Sequence, residues 1–90
     1  GVVAGPATRV RIRFEASVRS FVEERSWHPS QKLAALPDGG LELELEVGAT
    51  SELIGWILSF GAAALVVEPA SLREKVAREL ENAAARYESI

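Results

Sequence analysis

The most regular ionisable groups in the chain are two rows set on alternating segments. Arg9, Arg11 and Arg13 lie between Val10, Ile12 and Phe14, and Glu42, Glu44 and Glu46 lie between Leu41, Leu43, Leu45 and Val47. A period of two puts each charged row on one face of a strand and the apolar row on the other. An unpaired guanidinium row attracts phosphates, and an unpaired carboxylate row attracts cations. If the two strands are neighbours, the rows neutralise each other and fix the register, because opposite charges across strands attract and like charges repel. The ionic ladder is the first reading. An anion or nucleic-acid effector site on Arg9, Arg11 and Arg13 is the sharper alternative.

Other chemistry has few carriers. His28 is the single histidine and precedes Pro29. Ser30, His28 and Asp38 are the residue types of a nucleophilic triad, but nothing in their spacing brings them together, and a local hydrogen bond is the expected role of an imidazole in such a loop. His28 and Gln31 join the arginines as effector candidates. Glu23 and Glu24 read as a solvated helix end. There are no cysteines, which removes disulfides and thiolate chemistry and, with one histidine, a Cys/His zinc site. The expectation is a chain that is not an enzyme and needs no cofactor or metal. Trp56 falls at helical spacing and reads as core. Trp27, in a connection, is the better interface anchor, because tryptophan is enriched at contact sites.

Ninety residues make one domain, and 48% apolar with 26% charged residues is ordinary for a folded chain. A net charge of −3 argues against binding nucleic acid by bulk phosphate neutralisation. No apolar run reaches membrane-spanning length and no signal peptide is visible. The start at Gly1-Val2-Val3 reads as a fragment excised from a larger protein.

These groups must be positioned by a small set of elements. Residues 1–7, with Gly5-Pro6, read as a linker end, and 8–90 as one domain. A strand over Thr8 to Phe14 leads to a short helix over Ala16 to Glu24 with Val18, Phe21 and Val22 on its apolar side. A second strand over Lys32 to Leu36 turns through Pro37-Asp38-Gly39-Gly40 into a third over Leu41 to Val47. Thr50 or Ser51 caps the next helix, which carries Leu53, Trp56, Ile57 and Phe60 and stops at Gly61. Gly55 inside it suggests a close backbone contact. A fourth strand over Ala63 to Val67 ends at Pro69, and Ser71 with Glu74 forms a capping box for a last helix striped by Leu72, Val76, Leu80, Ala84 and Tyr87.

The order β-α-β-β-α-β with an added C-terminal helix predicts an α+β, ferredoxin-like sandwich. Its two internal helices cover one sheet face, and its first and third strands are expected side by side and parallel at the centre. The last helix buries its stripe within the domain, on another domain or on a second copy. Leu72, Val76, Leu80 and Tyr87 are therefore interface candidates with Trp27. An RNA-binding domain of this topology needs aromatics where Arg and Glu stand here. An acylphosphatase needs a glycine-rich cradle after the first strand, where Glu15-Ala16-Ser17 has none. A small-molecule module of the ACT type shares the topology and is the main alternative function.

Several short motifs fall in one order along the chain: Arg11-Ile12-Arg13-Phe14, Trp27-His28-Pro29-Ser30-Gln31, Asp38-Gly39-Gly40 with Leu41-Glu42-Leu43-Glu44-Leu45, Glu52-Leu53 through Trp56-Ile57-Leu58-Ser59-Phe60-Gly61, Val67-Glu68-Pro69, Leu72-Arg73 and Tyr87. This series resembles the C-terminal extension, or WCX domain, of WYL-domain transcriptional regulators. The resemblance implies a ferredoxin-like fold and a place behind an upstream DNA-binding winged helix-turn-helix and a ligand-sensing WYL domain in a bacterial, cytoplasmic protein. It also implies a role in dimerisation and in shaping the response to a nucleic-acid or nucleotide effector.

Overall fold

The two alternating segments form the centre of one sheet. The computed structural model describes residues 6–90. The linker-end reading of residues 1–7 lies outside them except for Pro6 and Ala7, which are exposed and precede the first strand. Four strands, β1 (Thr8–Phe14), β2 (Lys32–Ala35), β3 (Leu41–Val47) and β4 (Ala64–Glu68), pair in the order β2-β3-β1-β4. Every pairing is antiparallel. The chain is thus α+β, with a four-stranded antiparallel sheet.

The expectation that β1 and β3 run parallel is wrong. They pair antiparallel over their full length, from Thr8 opposite Val47 to Phe14 opposite Leu41. The reason is topological. The tight turn makes β3 run against β2, and the helical crossover from β1 to β2 brings the chain back in the direction of β1. A strand inserted between β1 and β2 must oppose both.

Three helices follow from local signals. The expected helix over Ala16 to Glu24 divides into a 3₁₀ turn, Ala16–Val18, and α1 (Arg19–Glu23), the last residue of the turn, Val18, being the N-cap of α1 at φ −112° and ψ 2°. α2 (Ser51–Leu58) starts where expected: Thr50 Oγ1 accepts a hydrogen bond from the Leu53 N–H at 3.2 Å. Gly61, just past its end, takes a left-handed φ of 56°, a conformation that favours glycine.

α3 (Ala70–Glu88) does not have the expected capping box. Its N-cap is Pro69, so Ser71 already lies inside the first turn and its hydroxyl has no cap role. The Arg73 guanidinium instead reaches back to the Val67 carbonyl, Nη1 donating at 2.7 Å. β4 is shifted by one residue from the expected Ala63 to Val67, to Ala64–Glu68, because Ala63 closes a 3₁₀ turn over Gly61–Ala63.

All three helices cover one sheet face. Val22 of α1, Ile57 of α2, and Leu72 and Val76 of α3 join Val10, Ile12, Phe14, Leu41, Leu43, Leu45 and Val66 in a single buried cluster. The start of α3 therefore packs within the domain, along β4 and beside α2.

Two glycines behave oppositely. A Cβ on Gly40 would stand 2.5 Å from the Phe14 carbonyl oxygen and 2.9 Å from Asp38 Oδ1, so this turn position requires glycine. Gly55, where a close backbone contact was expected, has nothing within 4 Å of the space a Cβ would fill.

Candidate functional site

The face away from the helices carries the charge rows, and they are paired. Arg9 faces Glu46 in register, Arg11 faces Glu44 and Arg13 faces Glu42. The side chains lean along the strands. Arg9 meets Glu44 at 2.7 Å, and Arg11 holds Glu42 through a two-bond fork, Nη2 to Oε1 at 2.9 Å and Nε to Oε2 at 3.2 Å. Arg13 Nε reaches the same Glu42 Oε1 at 3.1 Å. Glu68, at the end of β4, adds contacts to Arg9 at 3.5 Å and Arg11 at 3.7 Å, and Lys32 of β2 approaches Glu44 at 3.9 Å. The hydrogen bond from Arg11 holds the Glu42 carboxyl below the usual carboxylate range despite its partial desolvation, with Arg13 acting in the same direction. The hydrogen bond to Glu44 raises Arg9, and that to Glu42 raises Arg11. The arginines form a satisfied ladder rather than an unpaired cationic strip.

The loop before β2 is closed by its own polar residues. Gln31 Oε1 accepts from the Trp27 and His28 backbone N–H groups, and its Nε2 donates to the Arg25 carbonyl at 3.2 Å. Its amide is committed to the loop. His28 Nδ1 accepts from the Ser30 N–H at 3.1 Å and lies 2.7 Å from Ser30 Oγ, which in turn accepts from the Glu46 N–H at 2.9 Å. Accepting from a backbone N–H assigns the neutral ring's proton to Nε2. Asp38 is held elsewhere, its Oδ1 accepting from the Gly40 N–H at 2.8 Å. Ser30, His28 and Asp38 are not assembled into a triad.

Trp27 is not an exposed anchor. It is half-buried, its Nε1 donates to the Val22 carbonyl at 2.9 Å, and its ring centroid lies 4.7 Å from that of Trp56. Phe14, Phe21 and Phe60 complete a continuous aromatic cluster. The sequence reading placed Trp27 outside because its loop has no period. The Gln31 amide ties the loop that carries it.

Beside this cluster lies a groove of about 520 Å³, lined by Trp27, Trp56, His28, Leu53, Glu46 and Glu52 among others. It opens at the end of β3 and the start of α2. Trp56, whose spacing reads as core, is half-buried and lines the groove with Glu52.

The interface candidates on α3 divide in two. Leu72 is fully buried and Val76 is 8% exposed, so both belong to the domain's own core. Leu80 is 44% and Tyr87 78% exposed, and every residue from 77 to 90 is exposed. The outer turns of α3 are exposed, with Arg78, Glu79 and Asn82 lining a groove beside Ile54, Gly55 and Leu58 of α2.

No curated protein matches the chain. The family model of the WCX domain matches residues 6–84, which takes in the whole sheet, all of α1 and α2 and most of α3. The chain belongs to the WCX domain family, the C-terminal extension of WYL-type regulators.

Proposed function

We propose that this domain is the non-catalytic regulatory and dimerisation module of a bacterial, cytoplasmic WYL-type transcriptional regulator, acting behind a WYL domain and a DNA-binding helix-turn-helix. The observation that carries the reading is the family match over residues 6–84. The strand order β2-β3-β1-β4 with helices on one face supports a ferredoxin-like fold of the split β-α-β kind, with α3 added to it. The exposed outer half of α3, with Leu80 and Tyr87, and the exposed Ile90 beyond its end support a contact beyond the domain. Asp38 is held on the Gly40 N–H, away from the local His28–Ser30 pair, and this supports a role without catalysis.

The test is made on the regulator that contains this domain. Removing it is expected to leave the helix-turn-helix folded while lowering the mass of the assembly and uncoupling promoter binding from effector. A full-length protein without a helix-turn-helix, or one whose promoter response is untouched by the deletion, sinks the proposal.

A nucleic-acid effector surface on Arg9, Arg11 and Arg13 is a weaker reading, because each guanidinium already has a carboxylate partner. A small-molecule role of the ACT kind is favoured by one observation, the groove beside Trp27 and Trp56.

A further inference from the structure

The apolar stripe of α3 does not stop where the core ends. Leu72 and Val76 are buried, and the same side of the helix continues as Leu80, Ala83 and Tyr87, with Ile90 just past its last turn. From Val76 onward the steps alternate between four and three residues. That is the seam spacing of a helix that packs lengthwise against another helix. Leu80 is 44%, Tyr87 78% and Ile90 99% exposed, so the domain leaves this part of the seam open to solvent.

The far end of the seam has the shape of a receiving surface. Ala83, Arg86, Tyr87 and Ile90 surround a hollow of about 400 Å³. They stand at i, i+3, i+4 and i+7, four positions that together make a hole for a knob from a facing helix. The small Ala83 leaves the room. The matching knob is Leu80, the large apolar seam residue next inward from the hollow. Two copies of α3 laid antiparallel, crossing near Ala83, set Leu80 of each against the hollow of the other. One two-fold operation serves both halves, as a contact between identical surfaces requires.

The charges select the same direction. Glu79 and Arg86 are seven residues apart and so lie on one flank of the seam. Neither has an oppositely charged group within 4.0 Å among the described residues, and Lys75, one turn before Glu79, also lies outside that distance. In the antiparallel pair Glu79 precedes Leu80 at the hollow and arrives beside Arg86 of the second copy. The same pair forms again at the other end. Flanking charges of this kind set partner and orientation in paired helices. A parallel pair places Glu79 beside Ala84 and brings it no cation. The outer turns of α3 thus supply both knob and hole and both members of the ion pair, which makes them complementary to themselves.

We propose that the outer turns of α3 dock on those of a second copy of this chain as an antiparallel helix pair, with Leu80 entering the hollow over Ala83 and Glu79 meeting Arg86. This names the contact behind the proposed dimerisation and rests on that reading. The seam from Leu80 onward spans about three helical turns, which is small beside the roughly 800 Å² per partner of a stable interface. The dimer of this chain is therefore concentration-dependent. An exposed ion pair contributes little by itself. Two act in each dimer, however, and reversing the charge at one position turns both into repulsions.

Sedimentation equilibrium across a concentration series is measured on the parent chain, E79R, R86E and E79R/R86E. The expected result is a monomer–dimer equilibrium whose dissociation constant rises ~10-fold in each single reversal and returns to within ~3-fold of the parent in the double reversal, where each pair is rebuilt with its signs exchanged. Melting curves at low concentration check that all four proteins keep the fold. A general loss of helix stability cannot produce this rescue. Equal dimers in all four proteins, or a double reversal as weak as the singles, overturns the antiparallel pairing and leaves the dimerisation reading standing. A parent chain that is monomeric throughout also overturns the contact. The dimerisation reading falls only if the full-length regulator is monomeric too.

Discussion

Arg11 and Glu42 lie on neighbouring strands two residues out of register, yet their side chains meet in a two-bond fork, Nη2 to Oε1 at 2.9 Å and Nε to Oε2 at 3.2 Å. Arg13, the residue directly opposite Glu42, shares the same carboxylate at 3.1 Å. One glutamate therefore joins two arginines of β1, and the diagonal pairing locks β3 against a slip that would turn its leucines to solvent.

The Glu42 carboxyl is held below the usual carboxylate range, foremost by the Arg11 hydrogen bond. A carboxyl depressed in the folded state contributes stability that is fully present above its unfolded value and is lost as pH falls through the folded one. Thermal melts of E42Q are expected to lie a few degrees below the parent at pH 7. The two curves should converge as the pH is lowered through and below the ordinary carboxylate range. A constant difference at all pH values would show that Glu42 acts through packing and not through its charge.

Two glycine substitutions should have opposite signs. G55A fills open space on a helix and is expected to stabilise the domain by about 1 kcal/mol, which at this chain length raises Tm by roughly 4–8 °C. G40A drives a methyl group against the Phe14 carbonyl and is expected to cost on the order of 1–3 kcal/mol. Melting curves of both variants check the pair. A destabilised G55A would mean that the helix backbone at Gly55 does not tolerate alanine, whatever the space around it.

Much of this architecture was legible in the chain. The alternation at Val10, Ile12 and Phe14 and at Leu41, Leu43 and Leu45 is strict, and all six side chains are buried. The order of the elements placed β1 beside β3, and the opposed charge rows fit that pairing. Their relative direction was misjudged because pairing of rows is equally possible in both senses, and the direction is set by the order of the connections. Ser71 and Glu74 match the capping-box pattern, but the helix starts two residues earlier, with Pro69 as its N-cap, whose fixed φ suits an N-terminal boundary. The groove was not legible at all. It is made where Trp27, Trp56, Glu46 and Glu52 converge from three separate elements, and no local period links them.

Trp27 offers a test of its burial. W27A removes a half-buried indole, its bond to the Val22 carbonyl and its contact with Trp56. It is expected to destabilise the domain by roughly 2–4 kcal/mol, somewhat less than a fully buried aromatic. W27F keeps most of the ring contact and should recover a large part of that loss. If W27A melts like the parent and instead lowers the mass seen in light scattering, Trp27 is an interface residue after all.

The sharpest division in the molecule runs through α3, between Val76 and Leu80. Leu72 contributes to the core at 0% exposure, and L72A is expected to cost about 2–5 kcal/mol. Leu80 and Tyr87, 44% and 78% exposed, lie outside the buried core, so L80E and Y87E should leave the fold within about 0.5 kcal/mol of the parent. If the outer turns of α3 carry the assembly contact, these same two variants lower the mass measured across a concentration series while the melting curve at low concentration is unchanged. A stripe that is buried at one end and bare at the other is what separates the two effects. The inner turns are held by Val76 and by the Arg73 bond to β4, so a charge placed at 80 or 87 has no core to disrupt. Loss of the fold in L80E or Y87E would show instead that the outer turns support the domain itself, and the contact between copies would then have to be sought at the exposed edge of β2.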